Sequence, residues 1–156
     1  MYNSKHPPAA AVGYYFNKDL TLVNLIKKVK PASMSGKLNG IGGKLEWGET
    51  PVQAMVREFW EEAGVQTKEE DWKQFLTIEL NNYKVNCFAA IGDTTKPQTM
   101  TIEPVAIYSV NALLTLRAEE AQLMVYHVSW SLAMAREFLR TSNAKAYRAV
   151  ENCEIS

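Results

Sequence analysis

Residues 50–64 carry the pattern that most constrains the fold of this sequence. Thr50 is a typical N-cap residue, Pro51 suits the first helical position, and Gln53 completes a capping box. Gly64 is placed to end the helix in a left-handed conformation. Between these ends, apolar side chains recur every three or four positions, at Val52, Met55, Val56, Phe59 and Ala63. The pattern predicts an amphipathic helix with one buried face.

Three carboxylates share the other side of this predicted helix. Glu58, Glu61 and Glu62 lie three and four positions apart, so they cluster within about one turn and repel one another. They also lie toward the helix C-terminus, where the helix dipole disfavours negative charge. Arg57 can offset one of them, and a divalent cation would compensate far better. Hard oxygen ligands without histidine or cysteine favour Mg²⁺ or Mn²⁺ over zinc. The alternative is a solvated acidic surface.

The segments around this helix predict a mixed α/β domain. A glycine- and serine-rich stretch, residues 32–43, is expected to form a loop. Residues 92–101 are expected to form a polar loop, and the tail after Arg140 to extend the last helix or fray. The remaining predictions are a hairpin of Ala9–Phe16 and Leu20–Ile26, strands Phe75–Leu80, Tyr83–Ile91 and Val105–Val110, and a helix Trp130–Leu139.

Charge and composition restrict the partners. Lys+Arg and Asp+Glu balance at 17 each, so the chain has no cationic field for nucleic acid or an anionic membrane. Any phosphate-bearing ligand must then be held by a local site or a bound cation. Residues 1–8 do not resemble a signal peptide, and no apolar run approaches the ~20 residues of a membrane span. We expect a soluble cytoplasmic protein with Cys87 and Cys153 as free thiols.

The spacing of the acidic helix and its glycine resembles a known motif. Gly43, five residues, Glu49, seven residues and then residues 57–65 (Arg-Glu-Phe-Trp-Glu-Glu-Ala-Gly-Val) are similar to the Nudix box at every defined position. The box covers residues 43–65 of the 156. The resemblance implies a Nudix-type α/β/α sandwich with a central mixed β-sheet, formed as a single domain by residues 1–156.

The resemblance also implies the metal ligands. Glu58 and Glu62 match the principal metal ligands of the family, and Glu61 belongs to the same cluster as ligand or base. The backbone carbonyl of Gly42 or Gly43 often joins them in relatives. In the family the ions, Mg²⁺ with Mn²⁺ as a possible substitute, bridge diphosphate oxygens while water attacks phosphorus and a glutamate acts as general base.

Two further roles follow from the resemblance. Arg57 matches the residue that orients the glutamates, here through ion pairs with Glu49 and Glu61. The general base is Glu61 or Glu62 inside the box or, as in some relatives, a residue on a later loop. Glu103 is the candidate on that loop, and a surface carboxylate is its alternative.

The residues before the box bear on the substrate. Residues 38–46 resemble the stretch that precedes the box in the MutT-like group, which hydrolyses oxidised purine nucleoside triphosphates. Asn39 then matches the residue that reads the base, since an amide both donates and accepts hydrogen bonds; a turn-stabilising asparagine is the alternative. Residues 123–130 lack the pair of aspartates with which mammalian members read the purine. Tyr126 and Trp130 are candidates to contact the base there, or core residues, and His127 is expected to be structural.

Lysines near the box are the remaining candidates for the substrate site. Lys27 begins a basic cluster with Lys28 and Lys30, which is either a solvated strand end or a contact for phosphates. Lys44 follows the glycine pair directly.

The predicted function is metal-dependent hydrolysis of a diphosphate linkage in a (deoxy)nucleoside triphosphate, with 8-oxo-dGTP as a possible substrate, giving a nucleoside monophosphate and pyrophosphate. The alternatives are hydrolysis of ADP-ribose, a dinucleoside polyphosphate, a nucleotide sugar or capped RNA, and a non-catalytic nucleotide-binding module. We expect a small-molecule nucleotide partner, no nucleic acid, no membrane, and a monomer or homodimer.

Overall fold

A mixed β-sheet organises the computed structural model, which describes residues 8–141 and 147–150. Within these residues the strands are β1 Ala9–Phe16, β2 Leu22–Lys27, β3 Leu38–Asn39, β4 Ile41–Lys44, β5 Lys73–Leu80, β6 Tyr83–Ile91, β7 Val105–Ser109 and β8 Tyr147–Val150. The α-helices are α1 Pro51–Ala63, α2 Val110–Leu114 and α3 Val128–Arg140. Short 3₁₀ helices span Ala32–Met34, Glu69–Asp71 and Ala118–Leu123.

Strand β1 lies at the centre of the sheet. It runs parallel to β6 along its whole length and antiparallel to β4 and to the start of β2. On one side β6 continues to β5 and then to β8, and on the other β2 pairs with β3 and β7. The sheet is therefore mixed, as the sequence predicted.

The two faces of β1 are both buried. Val12, Tyr14 and Phe16 belong to the core that α3 covers, whereas Ala11 and Tyr15 belong to the core under α1. This alternation follows from the two-residue period of a strand. It gives an α/β/α sandwich and confirms the predicted fold class. No helix in residues 8–141 and 147–150 is long and apolar enough to cross a membrane.

Helix α1 forms as predicted. Thr50 Oγ1 accepts a hydrogen bond from the amide of Gln53 at 3.3 Å, and Gln53 Oε1 accepts one from the amide of Thr50 at 3.0 Å. Gly64 ends the helix with φ of 71°. Of the predicted apolar stripe, Met55, Phe59 and Ala63 are buried, while Val52 and Val56 are partly exposed at its edge.

The predicted loop at residues 32–43 is wrong, because this segment contains a 3₁₀ helix and the strands β3 and β4. Glycine-rich sequence disfavours strands in general, but here glycine lets the backbones of two neighbouring strands approach closely. A Cβ on Gly42 would collide with the backbone carbonyl of Ala11 in β1. The missing side chain therefore lets β4 pair with the central strand.

Other boundaries moved for local reasons. Leu20 adopts a positive φ of 60° in the hairpin turn, so β2 begins at Leu22. Strand β7 ends at Ser109 because its hydroxyl accepts a hydrogen bond from the amide of Ala112 and caps the unpredicted helix α2. Helix α3 ends at Arg140, and the later strand β8 pairs parallel to β5, so the expected helical or frayed tail is corrected.

Cys87 is a buried free thiol; Cys153 lies outside the described residues.

Candidate active site

The acidic face of α1 lies against strand β4. Pairing of β4 with β1 places Gly43 beside the helix, where an added Cβ would come within 2.6 Å of Glu58 Oε1. A side chain at this position would therefore displace the carboxylate. Because Gly43 has no side chain, the Glu58 carboxylate can occupy this space. Glycine is therefore required here for the room it leaves as well as for its backbone flexibility.

Arg57 organises the carboxylates around it. Its Nε and Nη2 hold Glu49 in a two-point ion pair at 2.8 and 2.9 Å. Its Nη1 donates to Glu58 Oε1 at 2.9 Å and to Glu61 Oε2 at 3.1 Å, and Nη2 also donates to the carbonyl of Lys44 at 3.1 Å. The fork geometry of guanidinium makes this shared binding possible. Arg57 thus contacts both glutamates that the resemblance assigned to it, and Glu58 as well.

Glu58 and Glu62 are the carboxylates withdrawn from water. Burial raises the pKa of Glu58 although its hydrogen bond from Arg57 acts to lower it. Burial, with the added charge of Glu58, raises the pKa of Glu62 to about 7, even though Glu62 Oε2 accepts a hydrogen bond from the Gly42 amide at 3.1 Å. Glu61 is more exposed, at 51% of its side chain. These two partly buried groups form the part of the cluster where added positive charge is most favourable.

The donor set fits a hard divalent cation. Within residues 8–141 and 147–150, no three histidine, cysteine, aspartate or glutamate side chains are grouped as a ready metal site. Glu58 and Glu62 each direct an oxygen at a hydrogen-bond donor, Arg57 Nη1 and the Gly42 amide. Their chemistry nevertheless suits Mg²⁺ or Mn²⁺, because both are partly desolvated carboxylates with raised pKa values and no histidine or cysteine beside them.

Glu103 is buried and paired, so the surface-carboxylate alternative is wrong. Its Oε1 lies 2.9 Å from Lys28 Nζ, and its Oε2 accepts a hydrogen bond from the amide of Val29 at 2.7 Å and a longer one from Lys30 at 3.4 Å. Burial acts to raise the pKa of Glu103, but the hydrogen bonds from Val29 and Lys28 together lower it below its ordinary value. A carboxylate so held is a weaker proton acceptor than an ordinary glutamate.

The segments that carry most of the predicted substrate residues meet at the end of β2. Strand β3 places Asn39 opposite Ile26 and Leu38 opposite Lys27. The amide of Val125 donates to the carbonyl of Leu38 at 2.9 Å, which brings the segment before α3 alongside β3. Asn39, Lys27 and Tyr126 therefore lie on adjoining segments.

The side chains of these candidates differ in exposure. Asn39 is partly buried, and its Oδ1 accepts a hydrogen bond from the Gly40 amide at 2.9 Å, which is the local contact that a turn-stabilising asparagine makes. Tyr126 is 49% exposed. Trp130 is half-buried and packs against the core under α3. Lys44 is exposed at the end of β4.

Two charged residues near the site were not singled out from the sequence. Lys28 was considered only as part of a basic cluster, and Glu46 lies 3.7 Å from Arg57 at the edge of the ion-pair network. The available signal for Lys28 was its position two residues after the apolar Ile26, because such side chains share a face in an extended chain.

Known proteins share sequence and fold with this chain. A family model described as NUDIX domain matches residues 5–126. The 8-oxo-dGTP diphosphatase of Escherichia coli (strain K12) is 44% identical over 55 residues, which are 35% of this chain and 42% of that protein. The match thus spans less than half the length of this relative.

Solved structures share the fold at low sequence identity. One is a MutT structure from a study of the Aliivibrio salmonicida and Vibrio cholerae proteins. It matches with a TM-score of 0.64 and 23% identity, and the match covers 80% of this chain and 95% of that one. A NUDIX hydrolase of Nitrosomonas europaea matches with a TM-score of 0.67 and 18% identity, and the match covers 97% of this chain and 82% of that one. The NUDIX domain of Shewanella oneidensis NrtR, complexed with ADP ribose, matches with a TM-score of 0.70 and 17% identity. This match covers 88% of this chain and 94% of that one.

Proposed function

The chain belongs to the Nudix family, and on that premise we propose that it is a metal-dependent hydrolase of a (deoxy)nucleoside triphosphate, working within a single domain. The products are a nucleoside monophosphate and pyrophosphate. An oxidised purine nucleotide such as 8-oxo-dGTP is the substrate we favour.

The observation that carries this proposal is the pair of partly buried carboxylates on α1. Glu58 and Glu62 face strand β4, and Arg57 neutralises only part of the negative charge around them. Glu58, Glu62 and Glu61, with the Gly42 or Gly43 carbonyl, would hold the cation. When bound, Mg²⁺ or Mn²⁺ supplies charge neutralisation for the phosphates and lowers the pKa of water.

The remaining residues hold the site in place and move a proton. Arg57 fixes Glu58 and Glu61 while its own charge is anchored by Glu49. We assign the general base to Glu61 or Glu62 in preference to Glu103. Glu103 is committed to three donors and its pKa is lowered, whereas burial raises the pKa of Glu62.

The preference for a purine nucleotide has two supports. Asn39 ends β3 two residues before the glycine-rich strand β4, whose Gly42 and Gly43 lie beside Glu62 and Glu58. The E. coli protein that is 44% identical over 55 residues is an 8-oxo-dGTP diphosphatase. Lys27, Lys44, Tyr126 and Trp130 stay predictions for contacts to phosphate and base.

ADP-ribose is the second candidate. Residues 123–130 contain no carboxylate for the purine edge, and the structure is similar to a NUDIX domain that was complexed with ADP ribose. Without a carboxylate to read an oxidised purine, this segment does not select against adenine, which is the base of ADP-ribose.

Substrate profiling tests the proposal. Purified protein is given Mg²⁺ or Mn²⁺ with canonical dNTPs, 8-oxo-dGTP, ADP-ribose and diadenosine polyphosphates, and pyrophosphate and phosphate are both measured. We expect pyrophosphate release from a nucleoside triphosphate, fastest with 8-oxo-dGTP, and no turnover in EDTA.

Each other result has a defined meaning. Turnover of ADP-ribose alone overturns the triphosphate assignment in favour of the second candidate. Equal turnover with Mg²⁺ and with EDTA overturns the metal-dependent mechanism. No turnover of any compound, with Mn²⁺ binding retained, would identify a nucleotide-binding module instead of an enzyme.

A further inference from the structure

Lys28 directs its side chain toward the face of the sheet that α1 covers. Ile26, two residues earlier, is buried in the core under α1, and side chains two apart in an extended chain share a face. Only 17% of the Lys28 side chain is exposed, whereas its neighbour Lys27 is exposed. Lysine is seldom withdrawn from water without a partner.

Glu103 is the partner of this lysine. The Lys28 Nζ to Glu103 Oε1 distance is 2.9 Å, and only 8% of the Glu103 side chain is exposed. The second carboxylate oxygen is held by the amides of Val29 and Lys30. The carboxylate is thus fixed at both oxygens, and the pair joins the end of β2 to the loop before β7.

The loop that carries Glu103 contacts the end of α1 that carries Glu62. The amide of Gln98 donates to the carbonyl of Ala63 at 3.0 Å. Ile26 and Val105, each two residues from a member of the pair, lie in the same buried cluster as Ala63. In the described part of the chain, the hydrogen bonds of Arg57 go to Glu49, Glu58, Glu61 and Lys44, and none goes to Glu62. Arg57 therefore contacts one side of the cluster, and the Lys28–Glu103 pair lies toward the other side, at the end of α1 next to Glu62.

We infer that Lys28 is a positioning residue for the cation site, acting through Glu103. Its ammonium group holds the Glu103 carboxylate in place and cancels its charge on the Glu62 side, as Arg57 holds Glu58 and Glu61 on the other. The affinity of the cluster for a divalent cation then depends on this ion pair being complete. The inference rests on the proposed function, because it takes the cluster to be a cation site.

Mn²⁺ binding without substrate tests the inference directly. Free Mn²⁺ is titrated by electron paramagnetic resonance against wild type, Lys28→Met, Glu103→Gln and the double variant. Lys28→Met leaves Glu103 uncompensated and tightens Mn²⁺ binding about tenfold, while Glu103→Gln leaves Lys28 uncompensated and weakens it about tenfold. The double variant returns to within about threefold of wild type, since the two charges cancel.

Two lysine variants serve as controls. Lys28→Arg keeps the charge and is expected to keep Mn²⁺ affinity within about threefold of wild type. Lys27→Met removes the same charge from the exposed neighbour and is expected to leave affinity unchanged, since solvent screens it. On the hydrolysed substrate, Lys28→Met lowers kcat more than it changes KM, and Lys28→Arg restores kcat.

The same titrations separate the two hypotheses. Melting temperatures that fall while Mn²⁺ affinity stays unchanged in all three variants would show that the pair only joins two segments, and the inference would be lost with the proposed function intact. If Lys27→Met and Lys28→Met shift affinity equally, the effect is general charge and the inference also fails. Absence of Mn²⁺ binding in wild type would instead overturn the proposed function itself.

Discussion

The two helices that cover the sheet pack alike but use their polar groups differently. Helices α1 and α3 are each 13 residues long, and each buries an apolar stripe against one face of the sheet. On the α3 side, the buried polar groups satisfy one another: the hydroxyl groups of Tyr14 and Ser131 are 2.7 Å apart, and His127 Nδ1 is 3.3 Å from the same serine oxygen. On the α1 side, Glu58 and Glu62 are partly buried, and Arg57 contacts only the first of them.

The difference separates a structural face from a functional one. Polar groups that complete their hydrogen bonds internally add to the stability of the fold and offer nothing to a ligand. Carboxylates such as Glu58 and Glu62, which are partly buried and incompletely neutralised, are costly until a counter-charge arrives. If this comparison is correct, substitutions on the two faces should divide between stability and activity.

Removing the aromatic support of α1 should have the largest effect. Phe59 is fully buried, with its ring 4.8 Å from that of Tyr15 and 5.1 Å from that of Trp72. Phe59→Ala should lower the free energy of unfolding by roughly 3–5 kcal/mol, because the cavity cannot close completely. Urea denaturation in EDTA measures this, with Leu132→Ala on α3 as the matched variant at roughly 2–5 kcal/mol. A loss below about 1 kcal/mol for Phe59→Ala would contradict a buried α1 stripe.

Neutralising one carboxylate of α1 should affect activity and spare stability. Glu62→Gln keeps the shape of the side chain but removes a charge from the proposed cation site, so kcat should fall by at least ~10². The metal-free variant should be no less stable than wild type, because the substitution removes an uncompensated charge from a partly buried position. Glu137→Gln makes the same change on the exposed face of α3, where Glu137 lies 3.6 Å from Arg140. The kcat of this variant should match that of wild type. Wild-type turnover in Glu62→Gln would remove the distinction between the faces.

The α3 face should show itself in the pH dependence of stability. Burial lowers the pKa of His127 from 6.5 to about 4. Between these values the unfolded chain binds a proton at His127 that the folded chain does not, so the contribution of His127 is complete above pH 6.5 and declines as the pH falls toward 4. The loss should reach about 3 kcal/mol. Denaturant unfolding from pH 7.5 to 4.5 measures this loss, and His127→Gln should lack it. If the free energy of unfolding of wild type and of His127→Gln changes with pH in the same way, His127 is exposed to water in the folded protein.

The α1 region was predictable from sequence because its determinants are local. Thr50, Gln53 and Gly64 define the ends of the helix within a few residues, and the acidic and apolar positions follow the helical period. The strand β4 was missed since its cause is distant: Gly42 needs the backbone of Ala11 to explain it. Local patterns therefore located the helix and its carboxylates but not the strand they face.

The same limit applies to the partners of the charged groups. Glu103 was identified as a candidate, but its pairing with Lys28 joins residues 75 positions apart, which no local period reveals. Likewise, His127 was expected to be structural, yet its link through Ser131 to Tyr14 required the packing of α3 on the sheet. Sequence indicated which residue types were present, and the sheet decided which of them meet.

The smallest predicted effect gives the most direct view of the α3 side. Tyr14→Phe removes one hydroxyl group that is fully buried against Ser131, while Ser131 keeps His127 as a partner. The free energy of unfolding should fall by about 1 kcal/mol, the usual net value of one hydrogen bond, and kcat should stay within about twofold of wild type. Thermal unfolding and steady-state kinetics on the same samples measure both. A large fall in kcat with unchanged stability would mean that the α3 face takes part in the chemistry, since a purely structural hydroxyl has no route to the reacting phosphate.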